Sequence, residues 1–144
     1  MAAIRASQLK MKVAVVEKAE LGGICLNWGC IPTKSLLKSA QVFEYLNHAS
    51  EYGISVAGEV KVDFNAIISR SRSIADGMSK GIQFLFKKNN IVHIKGIGLL
   101  KGGNSIEVED AEGNKKSYSA KHIILATGAR SKELPNLKQD GKKI

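Results

Sequence analysis

Hydrophobic and polar positions follow different periods along the chain, and each period predicts a different element. Ala2–Leu9 contains helix formers with an apolar face, which predicts a helix. The valine-rich run Lys12–Glu17 is typical of a buried parallel strand. Lys18–Asn27 is predicted to be a loop, because Gly22 and Gly23 can adopt backbone conformations that other residues disfavour.

Two longer segments have apolar residues at spacings of three and four, the period of an amphipathic helix. The first is predicted over about residues 25–50, with its regular pattern starting at Trp28 or Thr33. The second is predicted over about residues 63–88, because Asp63 is a favourable N-cap. Its predicted core face is formed by Phe64, Ile67, Ile68, Ile74, Met78, Ile82 and Leu85.

After residue 90 the pattern changes to that of strands. Ile91–Leu100, Ser105–Glu109 and Lys115–Ser119 are separated by turn residues, which predicts an antiparallel meander over about 91–119. A further buried strand is predicted in Lys121–Thr127, ending at Gly128. The order of elements predicts an α/β fold, in which the first strand and the helix after it form half of a βαβ unit.

Charge and composition narrow the class of protein. The net charge is +9, but the lysines are spread along the chain without a basic stripe interleaved with aromatics. We therefore expect solvated surface and no nucleic-acid partner. No apolar run is long enough to span a membrane, and no secretory signal is expected. The two cysteines indicate a reducing compartment, so a cytoplasmic location is expected.

Both cysteines lie in one short stretch, Cys25-x4-Cys30. Four intervening residues can form one helical turn, which would bring the two side chains within disulfide reach. Pro32 suits the first turn of a helix, and the free N–H groups at such a terminus stabilise a thiolate. A thiol placed there is expected to be a reactive redox centre with a lowered pKa.

Two other interpretations of the cysteine pair remain open on spacing alone. Free cysteines are most often small buried hydrophobes. The pair could also be half of a zinc site, although its completion would require two of three histidines at no recognisable ligand spacing. These histidines are His48, His93 and His122.

The residues around the pair favour the redox interpretation. Leu21–Lys34, LGGICLNWGCIPTK, resembles the redox-disulfide signature of the flavin-dependent pyridine-nucleotide disulfide oxidoreductases. Within that family it is most similar to the dihydrolipoamide dehydrogenases of 2-oxo acid dehydrogenase complexes. The resemblance extends from AAIRASQL to ATGARSKELP. It implies an incomplete Rossmann-like FAD-binding domain over residues 1–144, with an inserted antiparallel β-meander.

The resemblance implies a reaction and a role for each cysteine. Cys25 matches the thiol that exchanges with the substrate disulfide, and Cys30 matches the thiol that lies against the flavin. Dihydrolipoamide would be oxidised through this pair and FAD, with NAD as the final acceptor. The substrate would be carried by an acyltransferase or carrier domain of the complex. Full-length members form homodimers, in the cytoplasm or in the mitochondrial matrix of eukaryotes.

The resemblance also assigns cofactor-binding positions. Glu17, at the end of a strand, matches the carboxylate that binds the adenosine ribose of FAD. Lys34 matches a lysine near the flavin ring, and Gly98 matches a position where the backbone approaches the adenine. The other expected cofactor-binding residues are Lys18, Gly22, Gly23, Ala126, Thr127 and Gly128.

Several features depart from the family pattern. The sequence contains no Gly-x-Gly-x-x-Gly, and Lys10 stands where the family usually has a glycine. The strand that carries this motif and the NAD and dimerisation domains are expected to be missing. The chain is therefore expected to be inactive alone. The alternative is a non-enzymatic remnant or interaction module that requires a partner chain to supply the strand.

Overall fold

The computed structural model describes residues 1–129 and 132–141. Its helices are α1 (Ala2–Gln8), α2 (Gly23–Asn27), α3 (Cys30–Asn47) and α4 (Phe64–Lys88), with a 3-10 turn at Ala49–Tyr52. Its strands are β1 (Ala14–Glu17), β2 (Val92–Lys95), β3 (Ile97–Gly102), β4 (Ser105–Glu109) and β5 (Lys115–Ser119). No described helix is both long and apolar enough to cross a lipid bilayer.

The described strands form two small sheets. β1 and β2 pair in parallel, from Ala14 opposite Val92 to Glu17 opposite Lys95. β3, β4 and β5 form an antiparallel sheet in sequence order. The parallel pair is joined by a crossover that includes the three helices α2, α3 and α4, as expected for parallel strands. The predicted α/β class is confirmed.

The prediction for the first strand of the meander is wrong. The segment predicted as one strand, Ile91–Leu100, is divided at Gly96 between the parallel and the antiparallel sheet. Gly96 has φ +153°, and a Cβ at this position would lie 2.5 Å from the Glu109 carbonyl oxygen. Glycine therefore permits both the change in chain direction and the close approach of β4.

The region around the cysteines also differs from the prediction. Part of the predicted loop Lys18–Asn27 forms the short helix α2. The helix predicted over about 25–50 is interrupted at Trp28 and Gly29, so the two cysteines lie on different helices. Gly29 has φ −128° and ψ −112°, which lies outside the helical region and separates α2 from α3.

Helix α4 begins as predicted, but it buries a different face. The Asp63 side chain accepts a hydrogen bond from the Ala66 N–H at 2.9 Å, which confirms the N-cap. The buried positions are the small residues Ser71, Ala75 and Ser79, four residues apart. Small side chains let α4 approach the chain segments it covers. By contrast, the predicted core residues Phe64 and Met78 are 66% and 46% exposed.

The strand predicted at Lys121–Thr127 is not observed. This segment forms neither helix nor strand, and Ile124 and Leu125 are 75% and 66% exposed. A strand requires a hydrogen-bonding neighbour, and the described strands pair only as β1-β2 and β3-β4-β5. The strand-forming sequence is therefore insufficient without a paired edge.

Candidate redox site

The two cysteines form a disulfide across the junction between α2 and α3. Cys25 lies within α2, Cys30 is the first residue of α3, and their Cα atoms are 4.6 Å apart. The interpretation of the pair as small buried hydrophobes is wrong, since both residues are exposed to solvent.

The zinc interpretation is not supported either. Both sulfurs are used in the disulfide, whereas zinc is bound by thiolates. Across residues 1–129 and 132–141, no three His, Cys, Asp or Glu side chains are grouped closely enough to hold a metal ion. His48 instead contacts Glu44, four residues earlier in the chain, through its Nδ1 atom.

Glycines shape the backbone on both sides of Cys25. Gly22 and Gly23 have φ values of +109° and +67°, positive values that residues with a side chain disfavour, in keeping with the conformational freedom expected of these glycines. At Gly29, a Cβ would lie 3.1 Å from the Ile24 carbonyl oxygen and 3.3 Å from the Cys25 Cα. The absence of a side chain at Gly29 thus allows α3 to start close to Cys25.

Hydrogen bonds from buried side chains hold the segment before Cys25. Asn27, which is 5% exposed, donates from Nδ2 to the carbonyl oxygens of Leu21 and Gly23 at 3.0 Å each. The Ser79 hydroxyl of α4 donates to the same Leu21 carbonyl at 2.7 Å. These bonds satisfy backbone groups in the turn and attach it to α4.

Arg72 on α4 contacts the segment between the two cysteines. Its Nη1 donates a hydrogen bond to the Asn27 carbonyl oxygen at 2.8 Å. Its guanidinium carbon lies 4.7 Å from the centre of the Trp28 ring, within cation–π range. Asn27 lies in the quoted signature, but Arg72 and Ser79 were not predicted from the sequence, because their polar contacts come from positions that hydrophobic periodicity does not detect.

The predicted ribose ligand lies at the carboxyl edge of the parallel strands. Glu17 is the last residue of β1, and its Oε1 accepts a hydrogen bond from the Ala19 N–H at 3.0 Å. Glu17 is half-buried, whereas Lys18 is exposed. Ligands of open parallel sheets bind outside this edge, so the position of Glu17 is compatible with the assigned role.

The other predicted cofactor positions lie on α3, on β3 and in the segment after β5. Lys34 is exposed on α3, four residues after Cys30 and thus on the same side of the helix. Gly98 packs against β1, since a Cβ there would lie 3.3 Å from Val16 Cγ1. This contact explains the glycine without a ligand. Ala126, Thr127 and Gly128 lie in an exposed irregular segment, and their cofactor role stays a prediction.

Comparison with known proteins identifies relatives over nearly the whole chain. A relative from Zymomonas mobilis, named dihydrolipoyl dehydrogenase, is 50% identical over 143 residues, covering 99% of this chain and 30% of the relative. A relative from Arabidopsis thaliana, named dihydrolipoyl dehydrogenase 1, mitochondrial, is 41% identical and is covered over 28% of its length. The chain thus spans under a third of these two relatives.

A solved structure shows the same fold. The crystal structure of LpdA from Mycobacterium tuberculosis superposes with a TM-score of 0.84 at 23% identity, covering 97% of this chain and 31% of LpdA. The family model described as pyridine nucleotide-disulphide oxidoreductase matches residues 1–144. With its exposed Cys25–Cys30 disulfide, this chain belongs to the pyridine nucleotide-disulphide oxidoreductase family.

Proposed function

We propose that this chain is the redox-disulfide part of a dihydrolipoyl dehydrogenase. The observation that carries the proposal is the exposed disulfide between Cys25 and Cys30, located at a junction of two helices. The relatives from Zymomonas mobilis and Arabidopsis thaliana, which are 50% and 41% identical to this chain, are both named as dihydrolipoyl dehydrogenases. The substrate is dihydrolipoamide on an acyltransferase or carrier domain of a 2-oxo acid dehydrogenase complex.

Thiol–disulfide exchange accounts for the first half of the reaction. A dihydrolipoamide thiolate attacks the Cys25 sulfur, the Cys25–Cys30 bond breaks, and Cys30 leaves as a thiolate. The second substrate thiol then attacks the substrate sulfur of the mixed disulfide, closing the lipoamide ring and releasing Cys25. Two electrons pass from the substrate to the cysteine pair, and the two substrate protons pass to the cysteine sulfurs or to solvent.

The position of Cys30 supports its role as leaving group. Cys30 is the first residue of the 18-residue helix α3, where N–H groups lacking intrahelical acceptors and the helix dipole favour negative charge. Cys25 lies instead within the five-residue helix α2. Its sulfur is consequently less stabilised as a thiolate, which suits the position that the substrate attacks.

Residues at the carboxyl edge of β1 and β2 fit one part of FAD. Glu17 is held there by the Ala19 N–H and would bind the adenosine ribose, and Gly22 and Gly23 would let the backbone approach the cofactor. Lys34 would lie near the flavin ring. The chemistry that FAD supplies when bound is acceptance of the electron pair from the dithiol and its transfer to NAD.

A visible absorption spectrum after incubation with FAD and desalting tests this proposal. We expect retained flavin absorbance and a long-wavelength band when a dithiol is added. Glu17→Gln should weaken FAD retention, whereas Glu59→Gln, an exposed carboxylate that pairs with Lys61, should not change it. A colourless protein would contradict FAD binding by this chain.

A second candidate, an interaction module that requires a partner chain, is favoured by the exposed apolar surface. Ile124 and Leu125 are 75% and 66% exposed beside an irregular backbone whose sequence predicts a strand. Large exposed apolar patches mark interaction sites. Light scattering of the purified chain tests this candidate: association with a second copy or partner supports it, and a monomer that retains flavin contradicts it.

A further inference from the structure

The structure assigns Arg72 a positioning role: with Trp28, it holds Cys25 and Cys30 close together and thereby stabilises the disulfide against reduction. This inference deepens the proposed function and rests on it, since Cys25–Cys30 is there the working disulfide. Its experiment uses glutathione and requires no flavin. The inference can therefore fail while the proposed function stands, and the reverse is also possible.

The contacts of Arg72 concentrate on the link between the sulfur-bearing helices. Asn27, whose carbonyl oxygen accepts from Arg72 Nη1 at 2.8 Å, is the last residue of α2. Trp28, which faces the guanidinium at 4.7 Å, is the next residue. A cation at this point satisfies a carbonyl at the C-terminus of α2, which has no intrahelical partner, and fixes the two residues that precede Gly29.

Besides Arg72, the link is held mainly by the buried side chain of Asn27, whose hydrogen bonds point back to Leu21 and Gly23 and not forward to Cys30. Helix α2 has five residues, which is too short to be stable without tertiary contacts. Trp28 is 67% exposed, so burial does not hold it. Arg72 is half-buried on the 25-residue helix α4, which provides a rigid attachment. Contacts from α4 therefore determine how closely the two thiols lie once the disulfide has opened.

Closure of a disulfide is favoured when the two thiols are already close. Fixing the reacting groups before the reaction raises their effective concentration, because less conformational entropy is lost on bond formation. Loss of the Arg72 contacts should leave the Asn27 carbonyl without that donor and the exposed Trp28 freer to move in the reduced chain. The reduced state then gains conformational freedom that the disulfide-bonded state lacks, and reduction becomes easier.

The matched control is Arg70, two residues earlier on the same helix. Its Nη1 donates to the Ser35 carbonyl at 3.2 Å and to the Ser35 hydroxyl at 2.8 Å. Arg70 thus carries the same charge and attaches α4 to α3. Its contacts, however, are with Ser35, which follows Cys30 in the chain and is not between the two cysteines. A general loss of helix packing should affect the Arg70 and Arg72 variants alike.

Equilibration of the full chain with glutathione tests the inference. Two glutathione thiols reduce the Cys25–Cys30 bond, giving the protein dithiol and one glutathione disulfide, with two electrons and two protons transferred to the cysteines. We expect Arg72→Gln to raise the equilibrium constant for reduction on the order of tenfold, the scale of a charged hydrogen bond with a cation–π contact. Arg72→Lys should give a smaller rise, because lysine keeps the charge and loses the planar stacking.

Two further measurements keep the inference falsifiable if Arg72→Gln folds poorly. Trp28→Leu removes an exposed ring and keeps the Arg72–Asn27 hydrogen bond. Its equilibrium constant for reduction should therefore lie between those of wild type and Arg72→Gln. In concentrated urea, wild type and all variants should share one equilibrium constant. The inference is overturned if folded Arg72→Gln matches wild type or resists reduction more strongly, or if Arg70→Gln shifts the equilibrium as much.

Discussion

The Ser79 hydroxyl on α4 donates a hydrogen bond to the Leu21 carbonyl oxygen, 2.7 Å away and 58 residues earlier in the chain. Both residues are buried, and Asn27 Nδ2 donates to the same carbonyl. This shared acceptor attaches the glycine turn before Cys25 to the longest described helix. The cysteine segment therefore depends on α4 for its shape.

Ser79→Ala tests the strength of that attachment. We expect the free energy of unfolding to fall by about 1 kcal/mol, because one buried hydrogen bond is lost while Asn27 still satisfies the Leu21 carbonyl. Urea unfolding monitored by circular dichroism measures the change. Ser73→Ala, at an exposed position of α4, should change the stability by less than about 0.5 kcal/mol. Equal effects of the two variants would contradict the role of the Ser79–Leu21 bond.

Lys10→Gly should stabilise the protein. Lys10 follows α1 with φ +66°, a left-handed conformation that costs a non-glycine residue about 1 kcal/mol or more. The greater freedom of glycine in the unfolded chain offsets part of the gain, so we expect an increase of about 0.5 kcal/mol in the free energy of unfolding. Thermal and urea unfolding measure it.

The control for this glycine is Lys80→Gly in α4. Lys80 is exposed within a helix, where glycine is unfavourable, so the same substitution should lower the stability by about 1 kcal/mol. Changes of opposite sign in the free energy of unfolding would support the presence of backbone strain at Lys10. A loss of stability in Lys10→Gly would show that the left-handed conformation carries little cost.

The two cysteines should differ in reactivity when each is left as a single thiol. Cys25→Ser leaves Cys30 at the start of α3, and Cys30→Ser leaves Cys25 within α2. We expect iodoacetamide to alkylate Cys30 faster at neutral pH, because the N-terminus of α3 favours the thiolate. The time course of alkylation by mass spectrometry provides the rates. In concentrated urea the two rates should coincide; faster alkylation of folded Cys25 would contradict the assignment of the leaving thiolate to Cys30.

His48 provides a pH-dependent prediction away from the disulfide. A hydrogen bond with the Glu44 carbonyl, followed by the charge of Glu44, raises the pKa of His48 above its ordinary value. The protonated ring therefore stabilises the fold below the unfolded pKa, and this contribution is lost as pH rises through the folded pKa. Its magnitude is small because both His48 and Glu44 are exposed, so solvent screens their interaction.

NMR titration of His48 separates the two causes. Glu44→Gln keeps the backbone carbonyl and removes the charge, so the pKa of His48 should fall and remain above its ordinary value. Glu112→Gln, in the turn between β4 and β5, should leave the titration unchanged. A Glu44→Gln titration identical to wild type would show that the Glu44 charge does not contribute.

Local sequence signals predicted those features that depend on neighbours along the chain. Asp63 predicted the start of α4, since an N-cap bonds to an N–H only three residues later. Gly22 and Gly23 indicated backbone conformations that other residues disfavour, and both have positive φ, although the helix α2 that begins at Gly23 was not predicted. The signature around Cys25 and Cys30 indicated a disulfide oxidoreductase, which the family comparison confirms. These features are short-range, so their residues are sufficient to specify them.

Features that depend on distant partners were decided by the tertiary structure. The division of Ile91–Leu100 follows from β1, which pairs with β2 across more than seventy intervening positions, and from β4, which approaches Gly96 closely. Likewise, Arg72 contacts Asn27, 45 residues earlier in the chain, and the neighbouring Trp28, and apolar periodicity does not detect these contacts. Sequence by itself thus indicated the family and its redox-disulfide signature, whereas contacts with α4 decided how the segment between the two cysteines is held, because hydrogen bonding and side-chain stacking act through spatial proximity.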